Sequence, residues 1–116
     1  MLLRLPAVLL PLCKYEELSQ HRILEALYVA SGIGAVIAYK ACIAGASGGC
    51  QAEIGAACSM AAAAMGELTG LSIDEQEYAA EIAMEHHLGL TCDPICGLVQ
   101  IPCIERNAVA AKRAID

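Results

Sequence analysis

Apolar side chains recur along this chain at intervals of three and four residues, which is the spacing of one face of a helix. Glycine, proline and capping residues divide this pattern into separate segments. The predicted helices cover residues 20–40, 51–68, 73–88 and 101–115.

Local signals mark several of these boundaries. Ser19 is a good N-cap for the first predicted helix, and residues 72–75 have the spacing of a capping box. Gly70 ends the second helix, and Gly89 suits the position after the third. Pro102 fits the first turn of the fourth helix, where a missing N–H breaks no helical hydrogen bond.

Three segments lie outside the helical pattern. Residues 1–13 contain two prolines and no helix start signal, GASGG at 45–49 predicts a flexible turn, and residues 90–97 predict a loop held by Pro94. The first segment is a poor export signal, because small residues are missing before Cys13, where a cleavage site needs them.

One apolar stretch raises the question of a membrane. Residues 26–39 carry no charge, but these fourteen residues are fewer than the ~20 that cross a bilayer. We therefore predict a buried core helix here and no membrane partner.

Composition strengthens the helical prediction. The chain has 116 residues, 58% of them hydrophobic, with no Trp or Phe, and the apolar content is mostly Ala, Leu and Ile. Small side chains let helices approach closely and residues typical of strands are sparse, so we predict an all-α fold of packed helices joined by Gly- and Pro-containing loops.

Charge excludes one class of partner. The net charge is −6 and the seven basic residues form no patch, which argues against nucleic acid. Glu77, Glu81 and Glu85 recur every four residues and predict a solvated helix face.

Seven cysteines are many for this length, and the odd number argues against a secreted disulfide framework. The cytoplasm, a reducing compartment, fits better. Cys50 lies at the predicted start of the second helix, Cys92 and Cys96 lie in the loop before the fourth, and Cys103 lies in its first turn. Helix starts carry free N–H groups and a positive dipole end, both of which favour a thiolate.

Spacing alone leaves these four cysteines open to two interpretations. A compact C-x-x-C pair is absent, so they are either metal ligands or ordinary loop thiols. Cys58 lies inside an Ala-rich helix, where a thiol packs as a small apolar side chain. We predict the same packing role for Cys13 and Cys42.

Longer strings resemble the iron–sulfur L-serine dehydratases of bacteria. They are GGCQAEIG at 48–55, AACSMAAAA at 56–64, AEIAMEHHLGLTCDP at 80–94 and GLVQIPCIERNA at 97–108. The similarity runs from about residue 6 to residue 116 and is strongest from residue 48 onward. It implies that residues 1–116 are part of a larger helical catalytic domain.

The resemblance implies a [4Fe–4S] cluster held by three cysteines that match Cys50, Cys92 and Cys103. The family leaves the fourth iron open to bind L-serine and releases pyruvate and ammonia, a step of amino-acid catabolism and gluconeogenesis. A closed four-cysteine cluster suits electron transfer, whereas an open iron is a Lewis acid that makes the serine hydroxyl a better leaving group. A base must remove the α-proton, and the sequence does not assign it.

The chain departs from the family pattern at several positions. Cys96 stands where a small residue is usual, and as a fourth ligand it would close the cluster. Lys40, Cys42 and Ala44 replace polar residues of the family, and His87 replaces an asparagine.

Polar residues near the cysteines are candidates for supporting roles. His86 and His87 are either the missing base or a cap on the third helix. Glu53 and Asp93 flank ligand cysteines and are either supports for these ligands or exposed carboxylates.

The remaining questions concern the site and its partners. Arg106 and Asn107 follow Cys103 by about one turn and either face the serine carboxylate or are exposed. Family members carry a separate domain, fused or on a second chain, so we expect this missing domain or subunit as a partner, besides self-association. Two alternatives stay open: an electron-transfer or sensor module closed by Cys96, and a non-catalytic helical fragment.

Overall fold

Helices account for the regular elements of residues 4–98 and 101–116, the part of the chain that the computed structural model describes. They are α1 (Arg4–Tyr15), α2 (Gln20–Lys40), the short α3 (Gly45–Cys50), α4 (Ala56–Thr69), α5 (Ile73–Glu85) and α6 (Cys103–Ile115). A π-helical turn, Gln51–Gly55, joins α3 to α4. Across these residues the only β-type pairing is an isolated bridge between Ile95 and Leu98, so the all-α prediction is confirmed.

The Ala-rich helix α4 lies at the centre and packs against α1, α2, α5 and α6. Its run Ala61 to Ala64 is buried, and these small side chains let the neighbouring backbones come close. The approach is short enough for side chains of α4 to bond to other helices: Ser59 Oγ donates to the Ala80 carbonyl of α5 at 2.8 Å. Close helix packing, which the composition predicts, is therefore present.

Local capping signals hold as predicted. The Ser19 hydroxyl accepts from the Arg22 N–H at 3.3 Å. In the capping box, Ser72 N donates to the Glu75 carboxylate at 2.8 Å, and Ser72 Oγ accepts from Glu75 N at 3.4 Å. Gly70 ends α4 in the left-handed conformation, with φ of 81°.

Helix α2 differs from its prediction. It runs for 21 residues, and by length and composition it could cross a membrane, a test that core helices of soluble proteins also pass. Only Ala26 and Ala30 of this helix are buried, on the face that meets α4, while Tyr28 and Tyr39 are largely exposed. The prediction of a buried core helix is therefore wrong for most of its surface.

Two helices form where the sequence predicts none. Helix α1 contains Pro11 but is held by Val8 and Leu9, which are buried in the core. The predicted flexible turn at 45–49 is instead a helical turn, because the N–H groups of Ser47 and Gly48 both donate to Ala44 O, at 3.1 and 2.9 Å.

Helix boundaries near the cysteines also shift. The second predicted helix begins with the π-helical turn, so regular α-helix starts at Ala56. Helix α5 ends at Glu85 and not at Leu88, because the next N–H groups bond three residues back, His87 to Met84 and Leu88 to Glu85. Helix α6 starts at residue 103, directly after Pro102.

Candidate functional site

Cys50, Cys92 and Cys103 come from three different elements and lie together. Cys50 is buried at the junction of α3 and the π-helical turn, Cys92 is exposed in the loop after α5, and Cys103 is the first residue of α6. Burial, followed by the neighbouring Cys50 and Cys92 thiols, raises the pKa of Cys103, whereas Arg106 lowers it. Cys103 packs against the core cluster that contains Cys50, and Gly49, next to Cys50, lies against the Cys92 backbone.

Cys50 and Cys103 both lie at helix starts, as predicted from the sequence. The pKa of Cys103 is raised, first by burial and then by the neighbouring Cys50 and Cys92 thiols. Cys50 lies at a helix start, because Gly49, with φ of 70° and ψ of −166°, breaks the helix before it, while Cys50 itself is helical, with φ of −65° and ψ of −28°.

Gly49 lets the Cys92 loop approach the helical turn that carries Cys50. Its backbone has φ of 70° and ψ of −166°, a conformation that L side chains rarely adopt. A Cβ at this position would lie 3.0 Å from both Cys92 N and Leu90 O. A glycine is therefore required where the two cysteine-bearing segments meet.

Gln51 ties the same two segments together with two hydrogen bonds. Its backbone N–H donates to Leu90 O at 2.8 Å, and its side-chain Oε1 accepts from Gly89 N at 2.9 Å. Sequence reasoning missed both Gly49 and Gln51. The only signal for them is their position on either side of Cys50.

Arg106 reaches from α6 to the Cys92 loop. Its Nη1 donates to Thr91 O at 2.8 Å and to Asp93 Oδ1 at 3.1 Å. An interaction with the Cys50 thiol is the largest of the effects that raise the pKa of this guanidinium. Arg106 thus faces the cysteine loop, and its partner Asp93 is the carboxylate that the sequence marks as a candidate support.

Asn107 turns toward Cys103. Its Nδ2 donates to Cys103 O at 2.6 Å, and its Oδ1 is buried without a hydrogen-bond partner among the described residues. Such an orphaned acceptor is uncommon in a buried position.

Both candidate histidines bond to helix carbonyls, which supports the capping interpretation. Nδ1 of His86 lies 2.8 Å from Ile82 O, and Nδ1 of His87 lies 2.7 Å from Ala83 O. His87 is also buried against the π-helical turn, where its Cβ lies near Gly55. Since a carbonyl oxygen only accepts, Nδ1 donates in each of these hydrogen bonds.

The packing role predicted for Cys58 and Cys13 is confirmed. Cys58 is buried, donates to Ala110 O at 3.2 Å, and has its pKa raised to about 11 by burial. Cys13 is half-buried against a core cluster. Cys42 is half-buried, and its sulfur accepts from Ala44 N at 3.3 Å.

Two further candidates lie at the edge of the site. Cys96 is exposed in the loop, with a left-handed φ of 53°. Glu53 packs its carboxylate against Gly45 in the turn that leads to Cys50.

The arrangement of the three thiols limits the kind of metal centre that could bind between them. Within residues 4–98 and 101–116, no three His, Cys, Asp or Glu side chains are arranged around a point suited to one metal ion. A cluster of several irons spreads its thiolate ligands over a wider frame than a single ion does. Three thiols on separate elements, with an arginine bonded to the Cys92 loop, fit such a cluster.

Fold and site together define a class: a helical protein in which one loop and two helical segments gather three free thiols beside an arginine. A family model described as "Serine dehydratase alpha chain" matches residues 2–116, and the chain belongs to this family.

Curated relatives agree with this assignment. L-serine dehydratase 2 of Escherichia coli K12 is 53% identical over 113 residues, which is 97% of this chain and 25% of the relative. The L-serine dehydratase of Streptomyces coelicolor is 58% identical over 89 residues, 77% of this chain and 20% of the relative. The chain thus spans about a quarter or less of the length of these relatives. No solved structure matches it.

Proposed function

We propose that this chain is part of an L-serine dehydratase and that Cys50, Cys92 and Cys103 hold its [4Fe–4S] cluster. The observation that carries the proposal is the convergence of these three thiols from separate elements, each inside a string that resembles the family. The names of the relatives, all L-serine dehydratases, support the choice of substrate.

The reaction would remove the elements of water from L-serine and then its amino group. The α-proton passes to a base and the β-hydroxyl leaves as water, which gives aminoacrylate. Its imine tautomer hydrolyses to pyruvate and ammonia. When bound, the cluster would supply an open iron that acts as a Lewis acid toward the serine hydroxyl.

The chain's own residues would shape the two sides of this site. Cys50 is buried and Cys103 half-buried, so they would shield one side from water, while the exposed Cys92 marks the side open to solvent and substrate. Arg106 would offset part of the negative charge of the thiolates. A cytoplasmic, reducing location would keep these free thiols available.

The relatives are about four times as long as the matched region, so the proposed active site includes residues outside this chain. We propose that the remaining domain, fused or on a second subunit, supplies the base. Accordingly, this chain alone should bind the cluster but make little pyruvate.

Anaerobic reconstitution with iron and sulfide tests the cluster ligands. Cys50→Ala, Cys92→Ala and Cys103→Ala should each lose most of the bound iron and the visible thiolate-to-iron absorption. Cys58→Ala is the matched control, because its thiol is buried and bonded to Ala110 O, and it should keep both signals. Equal iron in all four variants would reject the assignment.

Addition of L-serine to the reconstituted chain then tests the open iron. A spectral change at one iron is expected. If the change appears only in Cys96→Ala, Cys96 closes the cluster, and the electron-transfer or sensor alternative is favoured.

A further inference from the structure

We propose that Arg106 is a positioning residue of the cysteine site: it fixes the Cys92 loop against α6 and places a positive charge beside the ligand thiolates. The second part of this inference rests on the proposed cluster. The first part concerns the chain without any cofactor.

Two hydrogen bonds from Arg106 bracket Cys92. The same nitrogen, Nη1, donates to the carbonyl before this cysteine, Thr91 O, at 2.8 Å and to the carboxylate after it, Asp93 Oδ1, at 3.1 Å. Arg106 also lies three residues after Cys103, so both share one turn of α6. One side chain therefore fixes the separation between the segments that carry two of the three thiols.

Partial burial strengthens these contacts. The Arg106 side chain is only 22% exposed, whereas that of its partner Asp93 is 59% exposed. Charge-assisted hydrogen bonds are stronger than neutral ones, and they are screened less where solvent access is reduced. Gln51 also holds the loop, since its N–H donates to Leu90 O and its Oε1 accepts from Gly89 N, but neither bond reaches Cys92.

Charge gives Arg106 a second effect. Its guanidinium contacts both residues that flank Cys92, so it places a positive charge beside this ligand thiol. Three thiolates held close together repel one another, and a cation beside them offsets part of this repulsion. A bound cluster, which is itself anionic, would experience the same stabilisation.

Arginine and lysine differ in a way that separates the two effects. A guanidinium offers several donors in a rigid planar arrangement, whereas an ammonium is a compact charge on a flexible chain. Arg106→Lys should keep the charge but lose the fixed pair of contacts. Arg106→Gln should lose both.

Hydrogen exchange of the apo chain tests the positioning. Amides of the loop segment 90–96 should exchange about tenfold faster in both Arg106→Lys and Arg106→Gln, since the free energy lost is that of one or two hydrogen bonds to a charged group. Asp93→Asn removes only the ion pair and should give a smaller increase. Circular dichroism should show unchanged helix content. Unchanged loop exchange in both Arg106 variants would overturn the positioning role.

The cluster potential tests the charge. After reconstitution, the midpoint potential should shift to more negative values in Arg106→Gln and stay near that of the parent in Arg106→Lys, and iron affinity should fall by about 10- to 100-fold in Arg106→Gln. An unchanged potential in Arg106→Gln would overturn the charge role. A parent chain that binds no cluster would instead reject the proposed function, while the exchange experiment would still decide the positioning.

Discussion

The centre of the molecule and the cysteine site are held together by different forces. Helix α4 is covered on several sides by other helices, and its alanines at 61–64 are buried. The loop with Cys92 is exposed, and its backbone accepts a hydrogen bond from Arg106 and donates one to the Gln51 side chain. Changes in α4 and its supports should therefore alter stability, whereas changes around the loop should alter the position of the thiols.

Cys58, which bonds to α6, and Cys103, which begins α6, show the same contrast between the core and the cysteine site. Cys58 projects from α4, is buried, and bonds to a helix carbonyl, so its thiol is kept neutral. Cys103 begins α6, is half-buried, and interacts with two other thiols and an arginine. The pKa of Cys58 is thus set mainly by burial, while that of Cys103 also depends on two other thiols.

The largest expected effect comes from Gly49→Ala, where the two regions meet. The new Cβ would lie 3.0 Å from the Cys92 backbone in a conformation unfavourable for alanine, so we expect a loss of about 2 kcal/mol in stability. Displacement of the loop should also reduce iron binding about tenfold or more. Chemical denaturation and iron analysis after reconstitution measure the two effects.

Gly70→Ala is the matched control for this substitution. Gly70 also has a positive φ, 81°, but a Cβ there would meet nothing within 4 Å. The Gly70→Ala variant should therefore lose about 1 kcal/mol of stability through backbone strain, and its iron binding should stay unchanged. If both variants retained iron equally, the close approach at Gly49 would not control the thiols.

The elements that the sequence predicts well are those set by local chemistry. The caps at Ser19 and Ser72 and the end of α4 at Gly70 each depend on residues within one turn. Helix α1 was not predicted, because it is stabilised by burial of Val8 and Leu9 against distant helices and not by its own start signal.

The residues of the site also fall into those that the sequence indicates and those that only the packing reveals. The three cysteines could be chosen only through resemblance to a family, since their spacing forms no compact motif. The contacts of Arg106 and Gln51 join residues 13 to 39 positions apart, and they depend on how the helical segments and the loop pack. Periodicity and capping contain no information about such contacts.

The next effect concerns alkaline pH and Cys58. Its folded pKa is about 11, against 9.0 for an ordinary thiol. The folded state therefore holds this proton more tightly, so the stabilisation is complete below pH 9 and is lost as the pH rises through 11. We expect a loss of roughly 2 kcal/mol across this window, since one pKa unit corresponds to about 1.4 kcal/mol.

Cys58→Ala separates this effect from the titration of other groups. The free energies of unfolding of parent and variant should converge by that amount as the pH rises. The variant has no thiol at position 58 to ionise, so only the parent loses this contribution. Parallel pH profiles would show that burial of Cys58 does not control its ionisation, and the contrast with Cys103 would fail.

The smallest expected effect comes from Ser72→Ala, far from the cysteines at the start of α5. The substitution removes the hydroxyl that accepts from Glu75 N and donates to the Glu75 carboxylate at 2.7 Å, so we expect a loss of about 1 kcal/mol. Ser72→Thr keeps the hydroxyl and should recover most of the lost stability, as measured by urea denaturation. Because Ser72 supports only the scaffold, iron binding after reconstitution should match that of the parent. Loss of iron comparable to that of Gly49→Ala would mean that the scaffold and the site are not separable, since weakening one helix start would then move the thiols.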